Sequence, residues 1–213
     1  MAQELKTQTP IPPVTPGPPA RVTYEEFLEW AEGTRAEWVD GEVTVMSPVS
    51  FTHQYVAEFL AASLRFFAEE NNLGQVLTAP FQMRLRTRPS GREPDVIFIA
   101  RDRLDKLQNA YLDGPADVAI EIISPDSRTR DRVDKFHEYE KAGVGEYWLI
   151  DPASKQAEFY RLGSNRVYSA VTIGDDGIFS SDVIEGLWLK VDWLWQDPLP
   201  PLMTVLREWG LVK

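Results

Sequence analysis

The sequence predicts a mixed α/β (α+β) domain, with a central mixed β-sheet flanked by helices and extra hairpins at its N- and C-terminal ends. Three observations carry that prediction. Apolar residues recur at helical spacing from Ser50 to Glu70, as Phe51, Tyr55, Val56, Phe59, Leu60, Leu64 and Phe67. Two almost continuous apolar runs, DVIFIA from Asp95 and VAIEIIS from Val118, have the composition of strands buried on both faces. Asp40-Gly41 stands between two short apolar segments, a hairpin signal. Helices interleaved with such strands must cover the faces of a sheet.

In chain order, residues 1–20 hold Pro10, Pro12, Pro13, Pro16, Pro18 and Pro19, which excludes helix and sheet and predicts a disordered, polyproline-like arm. The folded domain then spans 21–213. Thr23 with Glu26 has capping-box spacing ahead of a short helix from Tyr24 to Ala31. Hairpin strands follow near Ala36 to Val39 and Glu42 to Met46, and then the long helix, which ends at Asn71, Asn72 and Gly74. Gln75 to Leu85 alternates as one or two strands, with a turn at Pro89-Ser90-Gly91. Pro94 to Ala100 and Val118 to Ser124 are strands, separated by a polar loop or short helix. Arg130 to Ala142 is helical, with Val133, Phe136 and Tyr139 on its buried side and Gly143 as its stop. A strand at Glu146 to Asp151, an antiparallel pair at Gln156 to Arg161 and Arg166 to Ile173, and an apolar tail with a helix near Met203 to Trp209 complete the chain.

Composition narrows the function. Among 213 residues there is no cysteine, which removes disulfides and thiolate metal sites. No leader-like apolar segment or membrane-length run is present, so the expectation is a soluble cytoplasmic protein with no membrane partner. The net charge of -11 argues against nonspecific coating of nucleic acid, because Lys and Arg supply most of that affinity. It leaves room for a metal site built from the acids.

Two acids stand in odd places. Asp95 heads one apolar strand, where a solvated strand end would also account for it. Glu121 lies inside AIEIIS, where an ionised carboxylate is costly unless compensated; a buried salt bridge or a protonated acid would also serve. If the two strands are neighbours, these carboxylates converge, and convergent carboxylates suit Mg2+ or Mn2+. Such an ion polarises phosphorus and acidifies bound water, the chemistry of phosphodiester hydrolysis. Lys135 is the candidate cation beside it. It shares a stripe with Asp131 and Tyr139, and at about 100° per residue it falls about 80° from the centre of the Val133, Phe136, Tyr139 and Gly143 stripe, on the border of the buried face.

The series Pro94-Asp95 and then Glu121-Ile122-Ile123 resembles the PD-(D/E)XK nuclease superfamily. More closely, DGEVTVMSP, His53 opening the long helix, APFQMRL, EPDVIFIA, AIEIISP, Asp131 with Lys135, and GVGEYWLIDP resemble the Uma-type restriction endonuclease family, over roughly Tyr24 to Tyr168. The resemblance implies a restriction-endonuclease-like core and a single endonuclease-like domain over 21–213. It implies that Asp95 and Glu121, with the main-chain carbonyl of Ile122, bind Mg2+ or Mn2+, and that Lys135 orients or activates water. Ile123 occupies the place where the superfamily motif has lysine, and the Uma-type pattern moves that lysine to the following helix, where Lys135 stands. His53 and Asp131 are accessory candidates, Glu42 is read as an exposed hairpin acid, and Glu93 as a surface residue or spare ligand.

The implied activity is a metal-dependent endonuclease acting on DNA. The alternative is a non-catalytic nucleic-acid- or protein-binding module of the same fold. A third reading, a metal-free glycoside hydrolase, requires its two carboxylates to be about 5 to 9.5 Å apart. Arg84, Arg86, Arg88 and Arg92 form the densest basic cluster and are the candidates for phosphate contact, against an ordinary solvated hairpin tip. Trp188, Trp193, Trp195 and Trp209 offer apolar surface for a homodimer, or cover the core.

Overall fold

The structure, a computed structural model, describes Gly17 and residues 21–125 and 127–213; apart from Gly17, the Pro-rich arm lies outside the described residues. The first helix, α1 (Tyr24–Trp30), carries the expected capping box between Thr23 and Glu26. Strands β1 (Ala36–Val39) and β2 (Glu42–Val45) then pair antiparallel through a two-residue turn. Asp40 and Gly41 both have positive φ, 52° and 93°, the backbone of a turn whose twist matches the strands. Helix α2 (Phe51–Glu70) is capped by Ser50, whose hydroxyl accepts from the His53 amide.

The chain continues through β3 (Gly74–Thr78), β4 (Gln82–Leu85), β5 (Ser90–Arg92), β6 (Val96–Ala100), β7 (Tyr111–Asp113) and β8 (Val118–Ile122). A helical segment follows, π-helical over Arg130–Lys135 and then α3 (Phe136–Ala142), closed by Gly143 at φ 95°. The remainder is β9 (Glu146–Asp151), β10 (Gln156–Leu162), β11 (Tyr168–Ala170), β12 (Ile178–Ser180), β13 (Trp188–Lys190) and α4 (Leu202–Glu208).

The expected mixed sheet is the six-stranded one, β11-β10-β9-β8-β6-β3, parallel only between β8 and β9, and it is accompanied by a second sheet, β2-β1-β5-β4-β7, and a hairpin, β12-β13. The N-terminal hairpin is therefore built into a sheet, not appended to one. The turn expected at Pro89-Ser90-Gly91 falls one step earlier, and Ser90 and Gly91 are strand residues paired to both β1 and β4. Gly91 is there because a Cβ would sit 2.4 Å from the Tyr24 ring and 2.5 Å from the Gln82 amide oxygen.

Side-chain alternation sorts the six-stranded sheet into two cores. Val96, Phe98, Val118, Ile120, Ile122, Trp148 and Ile150 pack with α2 and the C-terminal segment. Ile97, Ile99, Ala119, Ile123, Tyr147 and Leu149 face the other way, towards Met83, Leu85 and Leu112 of the second sheet and Tyr139 of α3. Burial on both faces is why β6 and β8 read as unbroken apolar runs. Of the tail tryptophans, Trp193 is buried in the first core, and Trp188, Trp195 and Trp209 pack against it, Trp209 edge-on to Phe67. No described helix is long and apolar enough to cross a membrane.

Candidate active site

Strand parity places both acids on one face. β6 and β8 are antiparallel neighbours with Val96 opposite Ile120, so Asp95 and Glu121 stand at facing positions, on the side of the sheet shared with Ile97, Ala119 and Ile123. They open into a cleft of about 590 Å³, lined also by Arg35, His53, Ile122, Arg130, Asp131 and Lys135. The convergence expected from sequence is present.

Each carboxylate is held by one of its oxygens. Asp95 Oδ2 accepts from the Ile122 amide at 2.7 Å and faces His53 Nε2 at 3.2 Å. Glu121 Oε1 accepts from the Lys135 ammonium at 2.8 Å and from the Tyr139 hydroxyl at 3.0 Å. Among the described residues, no hydrogen bond reaches Asp95 Oδ1 or Glu121 Oε2. Ile122 thus contributes its amide to Asp95 while lining the cleft itself.

Lys135 is not the border lysine that α-helical geometry predicts. Its side chain is 2% exposed and its Nζ lies 3.0 Å from Glu37, 2.8 Å from Glu121 and 3.4 Å from Asp131. The π-helical turn explains the difference. Its i→i+5 bonding widens the backbone, so Asp131 and Lys135 turn inward together while Val133, expected on the buried side, is 49% exposed. Asp131 is buried, with Oδ1 lacking a hydrogen-bond partner beside the ammonium.

Burial opposes the charge on Lys135, but Glu121, Glu37 and Asp131 outweigh it and hold the ammonium more firmly protonated than an ordinary lysine. Burial likewise opposes the charge on Glu37, yet Lys135, Arg92 and Arg130 bring its carboxyl down to about 2. Glu121 goes the other way. Burial pushes it well above the usual carboxylate range; Lys135 opposes this, while Asp131, Asp95 and Glu37 add to it. Of the acids around the ammonium, Glu121 is the one left short of positive charge.

Glu37 was not among the residues singled out by sequence. It sits in β1 between Ala36 and Trp38, which face α1, and so it points the opposite way, between the sheets. Arg92 occupies the same interlayer. Expected at a basic hairpin tip, it is instead buried between Glu37 at 2.8 Å and Glu138 at 2.6 Å, and Ser90 also donates to Glu138. The other three arginines of that cluster hold carboxylates of their own: Arg84 with Glu25, Arg86 with Asp113 and Arg88 with Asp40. Glu42 is an exposed hairpin acid, as expected.

Glu93 is not a surface residue. It is 4% exposed, accepting from Gln82 Nε2 at 2.8 Å and from the Ala36 amide, and burial raises its carboxyl to about 7 despite Arg35 nearby. A folded value above the unfolded one means that its stabilising contribution is complete below about 4.5 and is lost as pH rises to about 7. Glu93→Gln is therefore expected to flatten the fall in melting temperature between pH 5 and pH 8, and to raise stability at pH 8 by on the order of 3 kcal/mol. Parallel melting curves of both proteins across that range would refute this.

The residues present suit a hard cation. Two fixed carboxylates offer one unpartnered oxygen each, and one of them is destabilised as an anion by burial. Among the described residues no group of three or more His, Asp or Glu side chains gathers at ligand spacing.

The Uma2 family, described as "Putative restriction endonuclease", matches residues 24–192. A solved structure described as a "putative nuclease belonging to DUF820" from Anabaena variabilis ATCC 29413 is similar in fold, with TM-score 0.68 and 18% identity, covering 82% of this chain and 97% of that one. No curated protein matches the chain.

Proposed function

We propose, from the premise that the chain belongs to the Uma2 family of restriction-endonuclease-like proteins, that it is a metal-dependent endonuclease hydrolysing DNA phosphodiester bonds. The observation that carries this reading is the pair of facing carboxylates, Asp95 and Glu121, each with a free oxygen in one cleft beside a fully buried ammonium. Asp95, Glu121 and the main-chain carbonyl of Ile122 would hold Mg2+ or Mn2+. Bound there, the ion would polarise the scissile phosphate and lower the pKa of a coordinated water.

The chain's own groups have separable tasks. Lys135 is held protonated, so it does not serve as a general base; it orients the attacking water and offsets negative charge developing on the phosphate. Glu37 and Asp131 anchor that ammonium, and Tyr139 fixes one oxygen of Glu121, so that the other would be available to hold the ion. His53 and the Ile122 amide do the same for Asp95. These are positioning roles.

The non-catalytic binding module remains a second reading, favoured by the lack of a three-acid cluster among the described residues. Nicking of supercoiled plasmid separates the two. The endonuclease reading expects nicking that requires Mg2+ or Mn2+ and stops with EDTA; absence of nicking, together with absence of heat on titrating Mn2+ into the protein, would sink it.

A further inference from the structure

The cleft is lined by as many fixed cations as carboxylates. Asp95, Glu121 and Asp131 line it, and so do Lys135, Arg35 and Arg130. Lys135 is hydrogen-bonded to an acid, whereas among the described residues Arg35 and Arg130 make only long ion pairs. Among the described residues the Nε of each is buried without a hydrogen-bond partner, while the side chains as a whole are 34% and 26% exposed. Their nearest carboxylates lie at 3.6 Å for Arg35, from Glu93, and 3.9 Å for Arg130, from Glu37. Glu37 is shared with Lys135 and Arg92, and Gln82 and the Ala36 amide hold only Oε1 of Glu93, its Oε2 facing Arg35 without a hydrogen bond. Arg84, Arg86 and Arg88 contrast with them, each hydrogen-bonded to an acid.

A guanidinium presents a fork of donors whose geometry matches phosphate oxygens, and both of these part-exposed side chains line the cleft. Arg35 enters from the residue before β1 in the five-stranded sheet, and Arg130 opens the π-helical turn that carries Asp131 and Lys135. They reach the cleft from different layers of the fold. We propose that Arg35 and Arg130 form a phosphate subsite, a two-guanidinium clamp that holds a backbone phosphodiester of the nucleic acid over Asp95 and Glu121. It rests on the nuclease reading and names how the substrate would be held. The clamp replaces the Arg84, Arg86, Arg88 and Arg92 cluster as the phosphate contact.

The test measures binding without turnover. A fluorescent oligodeoxynucleotide is titrated with the full chain in EDTA at low salt, and anisotropy is followed for wild type, Arg35→Gln, Arg130→Gln and, as a charge control, Arg86→Gln. Each cleft variant is expected to weaken binding at least about 10-fold and to lower the slope of log K against log salt by about 1, with Arg86→Gln close to wild type. Arg35→Lys keeps the charge but loses the fork, and is expected to restore only part of the affinity. Unchanged binding in the cleft variants, equal losses in Arg86→Gln, or no binding by wild type would overturn the clamp. Melting curves within a few degrees of wild type are expected, and a cleft variant that fails to fold transfers the question to Arg35→Lys. The two readings fail separately: binding lost in the cleft variants of a protein that never nicks DNA keeps the clamp and removes the nuclease. Nicking by wild type and by both glutamine variants at equal rates keeps the nuclease and removes the clamp.

Discussion

Lys135→Met is expected to lower stability by on the order of 3 to 5 kcal/mol, because it leaves Glu37, Glu121 and Asp131 buried around a vacated charge. In a chain of this size that corresponds to a fall of roughly 6 to 20 °C in melting temperature. Plasmid nicking should disappear with it. The loss has a pH signature. Glu37, held at about 2 in the fold against 4.5 unfolded, contributes stability that is present above 4.5 and fades as pH falls towards 2. Much of that contribution comes from Lys135, so the gap between wild type and variant should narrow over the same window.

A second variant separates packing from chemistry. Lys135→Met combined with Glu121→Gln removes both members of the 2.8 Å pair, and is expected to recover part of the stability while leaving nicking absent. Calorimetric melting of wild type, the two single variants and the double variant completes the cycle. Additive losses, with no recovery in the double variant, would mean that the ammonium and Glu121 are not coupled as their contact implies.

Asp95→Asn is expected to abolish the heat of Mn2+ binding and to reduce nicking by at least about 100-fold, while the melting temperature stays within a few degrees of wild type. The asymmetry follows from what Asp95 does structurally. Its Oδ2 accepts the Ile122 amide at 2.7 Å, a bond that an asparagine oxygen can still make, whereas the anionic oxygen that would meet the proposed ion is lost. Isothermal titration of Mn2+ into both proteins checks it, and equal binding would remove Asp95 from the site. A large fall in stability would assign Asp95 a structural task instead.

Much of the fold could be read from local chemistry. The capping box at Thr23, the Asp40-Gly41 turn, the period of α2 and the apolar runs of β6 and β8 each depend on residues close in sequence, and each element stands where those residues put it. Glu121 was conspicuous for the same reason, as a charge inside a run with no local compensation. Glu37 was not, because Ala36-Glu37-Trp38 alternates as a half-solvated strand does; only the six-stranded sheet stacked behind it turns that polar side into an interior one. Arg92 lies in a short polar strand that looks like a hairpin tip, and Glu93 just after it looks like surface, until neighbours close over both.

What the sequence alone determined is the pair of carboxylates on successive buried strands and the lysine one helix later, since strand period and residue type are local properties. What only the tertiary structure decided is how they meet. The antiparallel register of β6 and β8 sets Asp95 opposite Glu121, the π-helical turn swings Lys135 into the interior, and the two-sheet stacking supplies Glu37 as its counter-charge. Register, helix winding and layer stacking are settled by contacts between residues far apart in the chain, and burial between those layers is what turns ordinary side chains into a site whose charges depend on one another.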